Sequence, residues 1–287
     1  MTLRNKIPRP WLRRLTSARH ALRLPTGAWR SLPDFLIIGA QRAGTSSLYR
    51  YLAGHPDIVA SSRKETEYFS GRYSQGLNWY RAHFPLRLHY WINPRMLTFE
   101  ATPDYLLHPL AAERACLVVP HARIVVLLRD PVARAYSHFR HMRRLGFEQL
   151  DFPAALRAED ERIAGDLRRL ESEPEYRPVN LLRFSYRLRG RYAEQLQRWW
   201  ARYERERLLV LSSESFYRDT EKEFARVIQF LELRSWQPHR FENVSEPSSR
   251  VNNAPLDPII AQELASYFDE PNRALFELIG ADLDWQR

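Results

Sequence analysis

Short apolar runs punctuate the chain at Phe35–Gly39, Met96–Glu100, Arg123–Arg129 and Arg207–Ser212, with a weaker one at Asp57–Ser61. Between and after them, apolar positions recur at helical spacing over Thr45–Ala53, Val132–Leu145, Asp151–Leu170, Tyr186–Tyr203 and Thr220–Leu231. The run Ile124–Leu128 is apolar at every position, which belongs to a strand covered on both faces. Such strand–helix alternation predicts an α/β chain: a central, mostly parallel, doubly wound sheet flanked by helices in three layers. The stretch from His141 to Arg189 is charged and helical in pattern. It is expected to form an insertion or cap at about 141–189 within one domain spanning 31–287.

Charge changes the picture at one end only. Residues 1–30 carry Arg4, Lys6, Arg9, Arg13, Arg14, Arg19, Arg23 and Arg30 and no acid, so removing those eight from the formal +10 leaves +2 for the rest. This predicts a basic, poorly ordered arm. With Trp11, Leu12, Leu15 and Leu22 on a short amphipathic helix, the arm would touch anionic lipid, and an organellar transit peptide would have the same pattern. No run reaches the length of a membrane span and no secretory apolar core is present, so a cytoplasmic chain, peripheral to the inner face of a membrane, is expected. One cysteine, Cys116, excludes an internal disulfide or a thiolate zinc cluster.

Two strand–turn–helix junctions carry candidate chemistry. In "DFLIIGAQRAGTSSLYRYLAGHP", a strand runs into a small-residue turn and a helix start, where backbone N–H groups and the helix dipole favour phosphate or sulfate oxygens. Arg42 adds fixed charge, Gly44 allows close approach, and Thr45, Ser46 and Ser47 add hydroxyls; an ordinary turn with a Thr/Ser cap is the plainer reading. A nucleotide triphosphatase would instead place Gly-Lys-Ser/Thr here. In "IVVLLRDPVARAYSHFRH", Pro131 opens a helix and leaves Arg129 at the strand's carboxyl end, with Ser137 about two turns on. Between the two junctions, "SSRKETEYFS" holds Lys64, Glu65 and Glu67, candidates for a general base and its neighbours.

In this order, these segments resemble the sulfotransferases that use 3′-phosphoadenosine-5′-phosphosulfate (PAPS), above all the heparan sulfate N- and O-sulfotransferases and their bacterial relatives. "GAQRAGTSSLYRYLAGHPDI" is similar to their 5′-phosphosulfate loop and "LLRDPVARAYSHF" to their 3′-phosphate segment. "KETEYF" with "QGLNWYRAHFP" is similar to their base-bearing loop, and "EATPDYL", "GRYAEQLQRWW" and the tail from Asp257 follow suit. The resemblance implies that Arg42, Ala43, Gly44, Thr45, Ser46 and Ser47 surround the phosphosulfate and that Arg129 and Ser137 take the 3′-phosphate. It makes Glu65 the base and places Arg250 in a loop closing over the donor. Arg134 would assist there, His138 would stack near adenine, and Lys64 would stand in for a family lysine replaced here by Ala101. Arg42 also replaces a usual lysine; it can stabilise leaving-group charge but cannot readily donate a proton.

The implied reaction moves a sulfuryl group from PAPS to a hydroxyl or amine of a carbohydrate, glycolipid or other small acceptor, releasing 3′,5′-adenosine bisphosphate (PAP). No metal is required by this scheme, and His138 and His141 on one helix face lack an evident third ligand. A P-loop kinase or nucleotide triphosphatase is the nearest alternative. A non-enzymatic binder using the basic arm on anionic membrane or nucleic acid is the other, nucleic acid being disfavoured.

Overall fold

The computed structural model describes residues 17–173, 175–241, 255–283 and 285. Arg250, and the Trp11, Leu12 and Leu15 positions of the basic arm, lie outside the described residues. Residues 17–23 form helix α1, and a 3₁₀ turn at Leu24–Trp29 leads toward β1 (Phe35–Gly39). Then come α2 (Thr45–Leu52), β2 (Ile58–Ala60), α3 (Tyr68–Gly71), α4 (Leu77–Arg81), α5 (His89–Ile92) and β3 (Leu97–Ala101). Helices α6 (Asp104–Leu107) and α7 (Ala111–Val118) precede β4 (Arg123–Leu128) and α8 (Pro131–Arg144). The helices α9 (Phe152–Arg157), α10 (Glu159–Ser172), α11 (Val179–Phe184) and α12 (Tyr192–Trp200) lead to β5 (Leu208–Ser212), α13 (Ser213–Arg218), α14 (Thr220–Phe230) and α15 (Pro258–Ile279).

The five strands form one sheet in the order β2-β3-β1-β4-β5, every pairing parallel. Each lies within two residues of the apolar run that predicts it. The reason is burial: Phe35–Ile38 and Ile124–Leu128 are fully enclosed, as strands covered by helices on both faces must be. In this α/β fold β1 is central, and the chain crosses to opposite sides of it before β2 and before β4. That reversal places the carboxyl ends of β3, β1 and β4 side by side, the usual ligand edge of open parallel sheets.

Three segments differ from the pattern-based expectation. Asp151–Leu170 is two helices meeting at Ala158, not one. The helix expected from Tyr186 begins only at Tyr192, because the buried Glu159 carboxylate takes the N–H groups of Arg187 (2.7 Å) and Leu188 (2.8 Å) into a 3₁₀ turn at Leu188–Gly190. Residues 17–30 of the basic arm are fastened down. His20 bonds Trp79 O (2.9 Å), and the buried Arg30 donates to Phe84 O (2.8 Å) and to Thr26 Oγ1 (2.9 Å).

Helix α15 packs close because residue 190 has no side chain: a Cβ there would lie 2.6 Å from the Phe268 ring. The region expected as a cap holds helices α9–α11 and no strand among its described residues. Its own apolar cluster joins Phe152, Leu156 and Tyr186 to Phe139 of α8 and to Leu264 and Phe268 of α15.

Candidate functional site

Three neighbouring strands release the chain at one edge, and each release supplies one part of the site. After β1, Arg42 (φ 72°) and Gly44 (φ 103°) take the left-handed backbone that turns the chain sharply into α2. The helix is capped by Gly44, not by a hydroxyl residue, so Thr45, Ser46 and Ser47 lie inside the first turn. First-turn N–H groups lack the regular helical partner and carry the dipole's positive end, although Ser47 N turns back to Gly44 O (3.0 Å). Gly44 is required twice over, since a Cβ there would meet the Tyr217 hydroxyl at 2.9 Å. That hydroxyl also lies 3.3 Å from Ser47 Oγ, so a tyrosine of α13 covers the loop.

After β4, Asp130 caps α8 through Val132 N (3.3 Å) and Ala133 N (3.1 Å), and its own N–H goes to Glu214 Oε1 (3.1 Å). Arg129 is thereby turned back: Nη1 donates to Arg42 O (3.0 Å), while Tyr192 OH holds the Arg129 carbonyl (2.9 Å). Arg42 Nε in turn donates to Ser137 Oγ (3.0 Å). The two predicted anion loops thus form one continuous hydrogen-bonded unit. Burial, then Arg144, Arg129 and Arg140, push the Arg42 guanidinium below its ordinary pKa, with Tyr217 opposing them. Like charge gathered at a half-buried point is unfavourable by itself and is relieved by an anion.

The third part follows β2 and β3. Ser61 N bonds Phe99 O (2.8 Å) and Glu65 N bonds Ala101 O (3.0 Å), which stitches the Lys64–Glu65 segment to the end of β3. Glu65 and Glu67 both have positive φ (61° and 58°), and Thr66 between them donates to Glu100 Oε2 (2.5 Å). Glu100 is fully buried and also accepts from Tyr80 (2.7 Å), Tyr105 (2.7 Å) and Thr102 (3.1 Å). Burial pushes its pKa up against those bonds. The flanking acids have different surroundings. Glu65 is 48% exposed and accepts from Lys64 Nζ at 2.6 Å, whereas Glu67 is 18% exposed and is held by Arg177 (2.8 Å) and Arg72 (3.5 Å).

His141 joins the parts electrostatically. Its Nδ1 accepts from Arg144 Nη2 (2.8 Å), and its pKa falls to about 4 through burial, Arg42 and Arg144, with Glu65 acting in the opposite direction. Arg134 and His138 stand elsewhere than expected. Both are fully buried, Arg134 donating to Tyr186 O and His138 packing 5.0 Å from the Tyr186 ring. Sequence reasoning missed Tyr217 and Glu100, and weighed His141 only as a metal ligand. A concavity of about 350 Å³ beside β5, lined by Trp200, Arg226 and Leu283, includes none of the loop residues. Among the described residues no cluster of His, Cys, Asp and Glu is placed to hold a metal ion.

Comparison with known proteins decides the family. A model of the sulfotransferase domain matches residues 32–252. The chain belongs to the sulfotransferase family. A bifunctional heparan sulfate N-deacetylase/N-sulfotransferase 1 of Caenorhabditis elegans is 31% identical over 213 residues, 71% of this chain and 23% of that protein. The membrane-associated sulfotransferase kil1 of Dictyostelium discoideum is 39% identical over 108 residues, 38% of this chain and 22% of that one. The chain therefore spans about a quarter of the length of such curated relatives. The crystal structure of a sulfotransferase from Alicyclobacillus acidocaldarius aligns with TM-score 0.67 at 30% identity, covering 88% of this chain and 97% of that one. The sheet and loops described above are thus the P-loop-like fold of sulfotransferases, and an arginine, Arg42, stands in its first loop.

Proposed function

We propose that this sulfotransferase moves the sulfuryl group of PAPS to a hydroxyl or amine of a carbohydrate acceptor, glycolipid headgroups included. The observation that carries the reading is the Arg129–Arg42–Ser137 chain of hydrogen bonds beside an exposed Glu65, on the adjacent ends of β4, β1 and β3. The residues fit a nucleotide bearing phosphates at both ends. The α2 N-terminus and Arg42 would hold its 5′ side, and Arg129 and Ser137 its 3′ side. The nucleotide supplies the activated sulfuryl group; everything else is done by this chain. Glu65, held by its N–H to Ala101 and by Thr66 below, takes the acceptor's proton. Lys64, 2.6 Å from that carboxylate, orients it and offers a cation beside the site. Arg42 and the first-turn N–H groups stabilise charge on the departing phosphate oxygen by fixed electrostatics, without donating a proton.

The heparan sulfate N-sulfotransferase relatives support a carbohydrate acceptor, and the open flank of Glu65 is the side from which one would enter. Calorimetry with PAP against ATP–Mg²⁺ tests the donor. Tight PAP binding and no ATP response is expected, and the reverse would sink the reading. A labelled-donor screen across glycans, glycolipids and small phenols then identifies the acceptor class.

A further inference from the structure

The edge of the sheet opposite the loops carries a second surface. Helix α5 stands before β3, tied to that edge by Tyr90 OH on Asp34 Oδ2 (2.8 Å) and by Asn93 Nδ2 on Asp57 Oδ1 (3.1 Å). With Tyr90 turned inward, Leu88, Trp91 and Ile92 share the outward face at helical spacing, and are 59%, 84% and 78% exposed. Trp29, 69% exposed, adjoins them: its carbonyl accepts from Arg87 N (2.9 Å) and its neighbour Arg30 pairs with Leu86. Isolated exposed apolar residues are ordinary, but two tryptophans, a leucine and an isoleucine on adjoining segments are not.

Beyond Asp34 and Asp57, which are turned inward onto Tyr90 and Asn93, the charges nearest this patch are basic. Residues 17–33 and 77–99, which contribute to this face, contain Arg19, Arg23, Arg30, Arg81, Arg87 and Arg95 and no Asp or Glu. Arg19, Arg87 and Arg95 are exposed, and Arg81 reaches the Ala28 carbonyl beside Trp29 (3.5 Å). Crowding shows in the electrostatics: burial and then Arg19 and Arg30 lower the Arg23 pKa, and burial and then Arg87 lower that of Arg81. Exposed tryptophans and aliphatics with arginines and no acids match the interface of an anionic bilayer, where indole rings sit at headgroup depth and arginines meet lipid phosphates. An acidic polysaccharide would satisfy the arginines but leave Leu88 and Ile92 without a partner.

We infer that Trp29, Leu88, Trp91 and Ile92, with Arg19 and Arg87, dock this protein on an anionic lipid surface. The inference stands apart from the transfer reaction and extends the lipid contact expected of the basic arm to a folded face. Vesicle flotation of the full chain, on phosphatidylcholine with and without about 30% phosphatidylserine, tests it. Binding to the anionic vesicles alone is expected, weakened about tenfold by Trp91→Ser with Ile92→Ser. Arg19→Glu with Arg87→Glu weakens it similarly, and PAP affinity by calorimetry stays unchanged throughout. Trp91→Phe, which keeps the packing, retains binding but loses much of the tryptophan quenching by brominated lipids. Vesicle binding by a chain that takes no PAP supports the surface while refuting the transfer reading. Absence of a preference for anionic vesicles overturns the proposal. So does binding indifferent to Trp91 and Ile92, or heparin binding that depends on these residues in place of vesicle binding.

Discussion

Glu65 and Glu67 lie two positions apart, both with left-handed backbone, yet only one is available for chemistry. Glu67 is enclosed and shared by two arginines, while Glu65 has a single lysine partner and an open flank. Glu65→Gln is therefore expected to lower kcat by about 10²–10⁴-fold with PAP affinity retained, the loss typical of a general base. Glu67→Gln should cost less than about tenfold in kcat and lower Tm instead, since it frees Arg72 and Arg177. Single-turnover transfer and calorimetry on both variants separate the roles, and the opposite ranking would reverse the assignment. On the proposed reading Arg42 faces the donor, so Arg42→Ala should raise the PAP dissociation constant about 10–100-fold.

At the scale of elements, the base-bearing loop is positioned by what lies beneath it. The Glu100 carboxylate accepts four hydroxyl bonds, and Thr66 transmits that anchor to the residues on either side. Glu100→Gln puts an amide donor among hydroxyl donors, at an expected cost of about 1–3 kcal/mol in stability. It should also lower kcat more than it changes PAP affinity, measured by denaturant melts and transfer kinetics; equal loss of both would mean a general folding defect. The strands and the two strand–turn–helix junctions were legible because continuous apolar runs and turn residues are local signals. Glu100 was not, since it reads as a strand residue and its four partners come from three other segments. Tyr217, brought over Gly44 from the far side of β5, left no local trace either. Arg134 and His138 lie on α8 with Ser137, and their helix phase turns them toward Tyr186 of the cap.

Across the whole molecule, burial of neutral histidines sets the acid response. His83 and His108 are pushed down to about 3 by burial, and His138 well below its ordinary value for the same reason. An unfolded histidine titrates near about 6.5. Below that pH the unfolded chain binds protons that the folded chain refuses. Stability is therefore full above pH 6.5 and drains as pH falls toward 3, by about 1.4 kcal/mol per unit for each fully buried ring. Buried Glu100, Glu159, Asp34 and Asp130, whose pKa values burial raises, work in the other direction and offset part of the loss as their carboxylates protonate. Tm should accordingly fall by several degrees between about pH 7 and pH 5, ahead of ordinary carboxylate titration; a flat calorimetric profile there would refute the account. The same long-range wiring has a consequence for biosynthesis. Glu214 joins the Asp130 N–H to the Trp285 indole (3.1 Å each), so the turn presenting Arg129 is braced from 155 residues further along the chain. A nascent polypeptide therefore gains a fully braced turn only once residue 285 has cleared the ribosome.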